Sequence, residues 1–268
     1  MSDSSFPEIR VYAFKCGILR TETQNVLKDT RIGSALDVPV MFFLISHGED
    51  WVAFDTGNNV AVASDPAGHW STDFVKIWSP VMKDSEEFQA QIKKLGISPK
   101  DLRAVIISHG HLDHAGSLGN FFGTSIPIYF QKREYDEILT SLASGEWTGY
   151  IPGDYKYIHE LNIKPIEGVF DVFGDQTVVA FPTPGHTPGH QSLVVKLGQR
   201  TLLLCGDASY TLENMSKAIP ADRAWDFSQH VQMLHFFKVM SYLGVEIVPS
   251  HDPVYWRDKP LAPEMFSF

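Results

Sequence analysis

Cysteine is almost missing from this chain of 268 residues, which contains only Cys16 and Cys205. Two cysteines so far apart, without a CxxC motif, exclude a disulfide framework and a thiolate-based structural zinc site. The first residues, MSDSSFPEIR, show no basic segment followed by an apolar one. Together these features predict a cytoplasmic protein. Cys205 ends the apolar run TLLLC and is expected to be a small buried residue.

Positive charge and long apolar runs are also scarce. Lys and Arg number 22 against 32 Asp and Glu, and the net charge is −10. Nucleic acids and anionic membrane surfaces attract basic proteins, so neither is expected as a partner. Apolar runs stay far below the roughly 20 residues of a membrane-spanning helix. Hydrophobic residues make up 44% of the chain and no Pro/Gly/Ser-rich linker divides it, so residues 1–268 are predicted to form one domain.

Secondary structure follows from the spacing of apolar residues. Runs of β-branched, aromatic and aliphatic residues predict strands at 9–16, 38–46, 51–55, 104–108, 126–130, 177–181, 192–197, 201–205 and 245–250. Helical periodicity predicts helices at 84–96, 132–145 and 226–244. The first of these is expected to begin at Asp84 or Ser85 and to end at Gly96. Strand clusters separated by helices predict an α/β protein with stacked sheets and helices outside.

The segment SHGHLDHAG, residues 108–116, concentrates side chains that bind metals. His109 and His111 are two positions apart, and an extended segment projects such residues to the same side, so both can bind one ion. Asp113 and His114 follow in a predicted turn into a helix at AGSLGNFF, where they would face a second ion. Imidazole and carboxylate are ligands that Zn²⁺, Mn²⁺, Co²⁺ and Fe²⁺ accept.

Other apolar runs also lead directly to metal-type ligands. Asp55 ends the run WVAFD, His186 follows VVAFPTPG, Asp207 follows LLLCG, and His251 follows EIVPS. If these strands share an orientation, the side chains converge on one rim of the sheets. Asp207 is predicted to bridge two cations, which would lie about 3.5–4 Å apart as in two-metal hydrolytic sites.

The complete pattern strongly resembles the metallo-β-lactamase superfamily, whose signature is HxHxDH followed by a His, a bridging Asp and a last His. The resemblance implies an αββα sandwich, in which two mixed β-sheets are flanked by helices and the metals lie at one rim. It also implies that Asp55 supports the ligand loop. The implied ligands are His109, His111 and His186 on one metal, Asp113, His114 and His251 on the other, and Asp207 between them. His190 is either a further ligand or, as the family pattern favours, a side chain that packs or hydrogen-bonds behind His186.

The stretch GDASYTLENM, residues 206–215, together with SHDP near the end, looks like the N-acyl homoserine lactone lactonases, which are quorum-quenching enzymes. This narrower resemblance implies that a hydroxide bridging two divalent ions opens the lactone ring, with Zn²⁺ preferred over Co²⁺, Mn²⁺ or Fe²⁺. It implies that Tyr210 hydrogen-bonds the lactone oxygens, although Tyr210 could instead only pack in its loop. Asp113 would carry the proton to the leaving alkoxide.

An acyl chain would need an apolar groove. Candidates to line it are Val26, Leu27, Trp70, Phe74 and Trp78, although the same aromatic spacing is typical of an amphipathic helix packed on the core. Two alternative activities also stay open, namely hydrolysis of another small lactone, ester or phosphotriester, and an iron-dependent persulfide dioxygenase-like reaction on the same fold. The oligomeric state is open as well, with a homodimer as one option.

Overall fold

In the computed structural model, which describes residues 7–145 and 148–266, the apolar runs pair into two mixed β-sheets. Within those residues, the first sheet contains β1 (Ile9–Glu22), β2 (Ala35–His47), β3 (Asp50–Phe54), β4 (Ser79–Val81), β5 (Ala104–Ile106), β6 (Ile128–Gln131) and β7 (Ile163–Ile166). The second sheet contains β8 (Phe170–Asp171), β9 (Val178–Pro182), β10 (Gln191–Leu197), β11 (Arg200–Leu204) and β12 (Glu246–Val248). Each predicted run contains a strand, and β4, β7 and β8 are additional.

The pairing of the strands sends several strand ends to the same edge. The order is β4-β1-β2-β3-β5-β6-β7 in the first sheet and β12-β11-β10-β9-β8 in the second. β3 is parallel to β5, and β11 is parallel to β12. β9 and β11 both run antiparallel to β10, so they share a direction. Within each sheet, the strands that precede the predicted ligands therefore end at one edge.

Helices cover the outer faces of both sheets. The α-helices among the described residues are α1 (Thr23–Val26), α2 (Pro66–His69), α3 (Thr72–Val75), α4 (Phe88–Ile92), α5 (Lys132–Ser144), α6 (Leu212–Lys217) and α7 (Phe227–Tyr242). Short 3₁₀ turns are present at Val60–Ala63, Asp84–Glu86, Lys93–Leu95, Pro99–Asp101, Leu118–Phe121 and Gly206–Ala208. No helix in the described part of the chain is long and apolar enough to cross a membrane.

The layers are held together by strands that are apolar on both faces. In β2, Phe42 and Leu44 pack in a core shared with helices α4 and α5, whereas Phe43 and Ile45 pack against the second sheet. This alternation follows from the two-residue period of a strand whose two faces are both covered. A third, smaller core joins the outer face of the second sheet to α7 through Phe237. The predicted αββα architecture is confirmed.

Three local predictions need correction. The helix expected at 84–96 is two 3₁₀ turns around α4, because Glu87 has an extended backbone and caps α4 through Ala90 N and Gln89 N. Asp84 and Ser85 therefore do not cap the helix, although Gly96 ends the segment in the left-handed conformation as expected. The helix expected after His114 is only the 3₁₀ turn Leu118–Phe121. β1 continues six residues past its predicted end because a bulge at Gly17 (φ +76°) lets the strand resume at Ile18.

Candidate metal centre

The structure gathers the predicted ligands at one rim of the sandwich. Asp55 directly follows β3, and His109 lies just past β5. His186 follows β9, Asp207 follows β11 within a 3₁₀ turn, and His251 lies just past β12. All five side chains are at most 4% exposed. Both free cysteines are buried in the apolar cores, as predicted for Cys205.

The first group of converging side chains consists of three imidazoles. Nδ1 of His111 lies 3.1 Å from Nε2 of His109 and 3.0 Å from Nε2 of His186. Ligand nitrogens around a tetrahedral ion, each 2.0–2.1 Å from the metal, would lie about 3.3 Å apart. We call this group the three-histidine cluster. Its nitrogens have the spacing that a divalent cation requires.

The second group combines two imidazoles with a carboxylate. Nε2 of His251 lies 3.4 Å from Oδ2 of Asp113, and Nε2 of His114 lies 3.8 Å from Oδ1 of the same residue. Asp113 is 7% exposed and the two histidines at most 2%. The three ligand atoms lie within 4.8 Å of one another. We call Asp113, His114 and His251 the aspartate cluster.

Asp207 lies between the two clusters and presents one oxygen to each. Its Oδ1 is 3.0 Å from Nε2 of His114 and 3.0 Å from Nε2 of His251. Its Oδ2 is 3.4 Å from Nε2 of His186 and 3.8 Å from Nε2 of His109. Carboxylates in two-metal sites bridge their ions in this way.

Hydrogen bonds to the other ring nitrogens fix the histidine tautomers. Nδ1 of His114 lies 2.8 Å from Oδ2 of Asp55, and Nδ1 of His251 lies 2.7 Å from the carbonyl oxygen of Pro39. Both partners can only accept, so both Nδ1 atoms carry a proton, and Nε2 is the nitrogen of each ring that faces Asp207. Nε2 of His114 has no hydrogen-bond donor among the described residues. A buried imidazole nitrogen 3.0 Å from a carboxylate oxygen needs a proton or a metal ion between the two atoms, and a pair of divalent ions fits these residues.

His190 lies behind the clusters with both ring nitrogens hydrogen-bonded. Its Nε2 accepts a bond of 3.0 Å from the backbone N–H of Asp207, and its Nδ1 is 2.8 Å from Oγ1 of Thr183. Burial lowers the pKa of His190 to about 3, so the ring is neutral. The Nε2 lone pair is occupied by this contact, which orients the backbone of Asp207.

The charge states of the three-histidine cluster and of Asp207 suit cation binding. Burial lowers the pKa of His109 well below its usual range, and it lowers the pKa of His111 to about 4. Neutral imidazole is the form that binds metals. Burial opposes ionisation of Asp207, but His114 and His251 outweigh this effect and hold its pKa well below the usual range. Asp207 is therefore a carboxylate, which is the ionised form that a metal needs.

A cleft opens onto both clusters. Its lining combines apolar side chains with a few polar groups. Away from the metal ligands it is lined by Leu19, Asn25, Phe74, Trp78, Leu112, Thr148, Gly149, Tyr210 and Arg223. The ring of Tyr210 lies 5.0 Å from that of His251 and 5.5 Å from that of His186. This phenol lies beside both the three-histidine cluster and the aspartate cluster, so it can contact a molecule bound in the cleft.

The residues predicted to line an acyl groove divide into two groups. Phe74 and Trp78 line the cleft, at 8% and 9% exposure. Val26, Leu27 and Trp70 are at most 2% exposed and pack in the core shared with the helices. These three residues are therefore core residues, whose side chains fill the layer between the first sheet and the segments that cover it.

Sequence reasoning missed several residues that contribute to the site. Ser108 donates its backbone N–H and its hydroxyl to Asp55, at 2.7 and 2.8 Å. Glu134 accepts hydrogen bonds from the loops that carry the three-histidine cluster. Arg223 and Asn25 line the cleft. Glu134 had one available signal, because it lies four positions before the buried Ile138 and so on the buried face of α5.

The sequence model of the metallo-β-lactamase superfamily matches residues 36–248, and the chain belongs to this superfamily. Among its relatives, it is 36% identical to N-acyl homoserine lactonase AttM of Azorhizobium caulinodans, over 96% of this chain and 98% of that protein. It is also 36% identical to the AttM lactonase of Rhizobium radiobacter, over 97% and 99% of the two chains. A solved N-acyl homoserine lactone hydrolase, with the product N-hexanoyl-L-homoserine bound at its catalytic metal centre, superposes with a TM-score of 0.84 at 29% identity. That match covers 97% of this chain and all of the other.

Proposed function

We propose that this protein is an N-acyl homoserine lactone lactonase, a metal-dependent hydrolase that opens the lactone ring and so silences quorum signals. The observation that carries the proposal is the position of Asp207, whose two oxygens face two separate clusters of ligands at the floor of a cleft. Relatives of nearly the same length carry the name of this activity. The half-apolar cleft suits a substrate with a polar ring and an acyl chain.

Two divalent ions would be held by the two clusters. His109, His111 and His186 would bind one ion, Asp113, His114 and His251 the other, and Asp207 would bind both. When bound, such a pair lowers the pKa of water and polarises a carbonyl group. We propose zinc as the native metal because imidazole and carboxylate ligands without a thiolate suit it. We also propose that the protein acts in the cytoplasm, as its two buried cysteines suggest.

The chain's own residues would bind the lactone and manage its charges. Hydrolysis adds water to the ring carbonyl carbon and breaks its bond to the ring oxygen, which must gain a proton while the carbonyl becomes a carboxylate. Burial and the carboxylates of Asp207 and Asp113 raise the pKa of Tyr210 well above its usual range. Its phenol therefore stays protonated and can donate a hydrogen bond to a lactone oxygen as negative charge develops.

Asp113 is our proposed carrier of the proton to the ring oxygen. It lines the cleft beside Tyr210, and one of its carboxylate oxygens is 3.4 Å from His251. A carboxyl group in this position reaches both the metal cluster and the bound substrate, so it can pass a proton to the leaving oxygen without a separate acid.

A substrate panel tests the proposal. Purified protein is assayed by proton release with N-acyl homoserine lactones of short and long chain, γ-butyrolactone, a phosphotriester and a β-lactam. We expect rapid hydrolysis of the acyl homoserine lactones. Acidifying the product should regenerate the lactone, because ring opening is reversible in acid whereas amide cleavage is not. Asp207→Ala protein, prepared in the same way, serves as the control for contaminating activity.

Two other outcomes would overturn the proposal. Turnover of the phosphotriester or the β-lactam alone would assign the site to another hydrolytic reaction. Oxygen consumption with a persulfide substrate, together with one iron per chain, would assign it to dioxygenase chemistry.

A further inference from the structure

A second buried carboxylate, Glu134, lies outside the ligand set. It belongs to the first turn of α5 and is 0% exposed. No lysine or arginine of residues 7–145 and 148–266 forms a salt bridge with it. Burying an unpaired carboxylate is costly, so its surroundings must compensate by hydrogen bonding. Hydrogen-bond donors from the surrounding segments provide this compensation.

Four donors converge on the two oxygens of Glu134. Oε1 accepts from the backbone N–H of Gly110 at 2.8 Å and from the hydroxyl of Tyr150 at 3.1 Å. Oε2 accepts from the hydroxyl of Thr187 at 2.6 Å and from the backbone N–H of Gly189 at 3.0 Å. An ionised carboxylate is the side chain that can accept four such bonds without donating any.

Three of these donors belong to the two loops that form the three-histidine cluster, and the fourth, Tyr150, follows α5 in the chain. Gly110 lies between His109 and His111, and Thr187 directly follows His186. One oxygen of Glu134 therefore holds each loop. A shift of a few tenths of an ångström between the two loops would decide whether their ring nitrogens can bind the same ion, because metal–ligand distances are restricted to a narrow range.

The two loops approach the start of α5 closely at two glycines. A Cβ atom at Gly189 would lie 2.0 Å from the backbone nitrogen of Glu134, and one at Gly110 would lie 2.7 Å from the side chain of Ile138. Both loops thus contact α5 with their backbones. The start of the helix and the carboxylate form one rigid support for the cluster.

A different buried carboxylate, Asp55, supports the aspartate cluster. Asp55 accepts from Nδ1 of His114 and from the backbone and hydroxyl of Ser108. Glu134 shares none of these partners. Glu134 therefore holds the loops of the three-histidine cluster directly, whereas Asp55 directly holds His114 and reaches His109 only through the hydroxyl of Ser108, which lies 3.0 Å from Nδ1 of His109.

We propose that Glu134 is a positioning residue that sets the geometry of the three-histidine cluster, and with it the affinity of that half of the site for its ion. The inference rests on the proposed metal site and adds a division of labour to it. Glu134 is not one of the proposed metal ligands and acts through the two loops.

Zinc affinity tests this inference independently of turnover. Metal-free protein is titrated with Zn²⁺ against a chromophoric chelator so that two binding constants are resolved. In Glu134→Gln, the amide NH₂ group would face two of the four donors and repel them. One of the two zinc-binding constants should therefore weaken by about 10- to 100-fold, while the other stays near the wild-type value. Asp154→Asn, which also replaces a buried carboxylate by an amide, serves as the matched control and should keep both constants.

A double variant shows whether the two carboxylates act on different ions. Asp55→Asn should weaken mainly the constant that Glu134→Gln leaves near the wild-type value, because Asp55 contacts His114 directly and His109 only through Ser108. The combination of Asp55→Asn with Glu134→Gln should weaken both constants. If the double variant still has one wild-type constant, both carboxylates support the same ion and the inference is wrong.

A milder pair of substitutions, at Thr187, keeps the test valid if Glu134→Gln does not fold. Thr187→Val removes one of the four donors, whereas Thr187→Ser keeps the hydroxyl and should restore wild-type affinity. Equal zinc affinities for these two variants would overturn the inference. If the wild-type protein binds fewer than two zinc ions, the proposed metal site is wrong. If Glu134→Gln binds two zinc ions with wild-type affinities, only the role of Glu134 is wrong.

Discussion

Asp55 and His114 form a buried pair in which Nδ1 of the imidazole lies 2.8 Å from Oδ2 of the carboxylate. The aspartate has a positive φ of 63°, at the point where the chain leaves β3. Because the carboxylate can only accept, it fixes the tautomer that leaves Nε2 of His114 facing Asp207. The orientation of this ligand is therefore set from the side opposite to the cleft.

Replacing Asp55 should weaken the aspartate cluster without removing any ligand. In Asp55→Asn the amide must turn an NH₂ group toward at least one of three donors, so we expect zinc affinity to fall about 10- to 100-fold. Measuring kcat/KM as a function of free zinc checks this, because saturating zinc should restore most of the activity. A curve that coincides with the wild type would refute the role of Asp55.

Tyr210→Phe should lower turnover while leaving the metals in place. Loss of one donor to the developing charge is expected to reduce kcat by about 10- to 100-fold with a small change in KM. Zinc content, measured by elemental analysis, should equal that of the wild type. If kcat is unchanged, Tyr210 serves only to pack against Trp78, whose ring is 6.5 Å away.

Trp78→Ala should discriminate between acyl chains. Because Trp78 lines the cleft, a long-chain lactone should lose kcat/KM by about 5- to 20-fold while a short-chain one changes little. Trp70→Phe is the matched control, since Trp70 is 2% exposed in the core and its replacement should alter stability but not chain preference. Equal losses for both substrates would show that Trp78 does not contact the chain.

Asp154→Asn should stabilise the protein at neutral pH. Burial raises the pKa of Asp154 to about 6, against hydrogen bonds from His69 and Asn59, and Oδ2 has no partner within the described residues. A carboxyl whose pKa is raised by folding binds more protons when folded, so its ionisation destabilises the fold as pH rises from about 4 to about 6, and the full cost persists above that range. Asparagine avoids that cost.

We therefore expect the free energy of unfolding of Asp154→Asn to exceed that of the wild type by about 1 to 3 kcal/mol near pH 8, and the difference to shrink near pH 4. Urea unfolding of both proteins at the two pH values measures this difference. The contribution of metal release to the free energy of unfolding is common to both proteins and cancels in the difference. A difference that grows toward acid pH would show that Asp154 is stabilised by ionisation.

The ligands could be predicted from the sequence because their signals are local. His109 and His111 belong to one short segment, and Asp207 and His251 each follow an apolar run that reads as a strand. The common direction of those strands then brings them together. Each step needs only the spacing within a segment and the rule that active sites form at strand ends.

The supports and the cleft wall could not be predicted in the same way. Glu134 finds its partners 24, 16, 53 and 55 residues away, and no spacing rule connects such positions. Trp70 and Phe74 are four residues apart, yet one packs in the core and the other also borders the cleft. Which side of an aromatic cluster faces a cavity depends on packing between distant segments.

The central claim is that two ions side by side are required for hydrolysis, and a zinc titration of metal-free protein tests it most directly. Turnover of an N-acyl homoserine lactone is recorded after each addition of Zn²⁺. The account predicts no turnover without metal and a plateau at about two equivalents per chain. Full activity in metal-free protein, or a plateau at one equivalent, would contradict it.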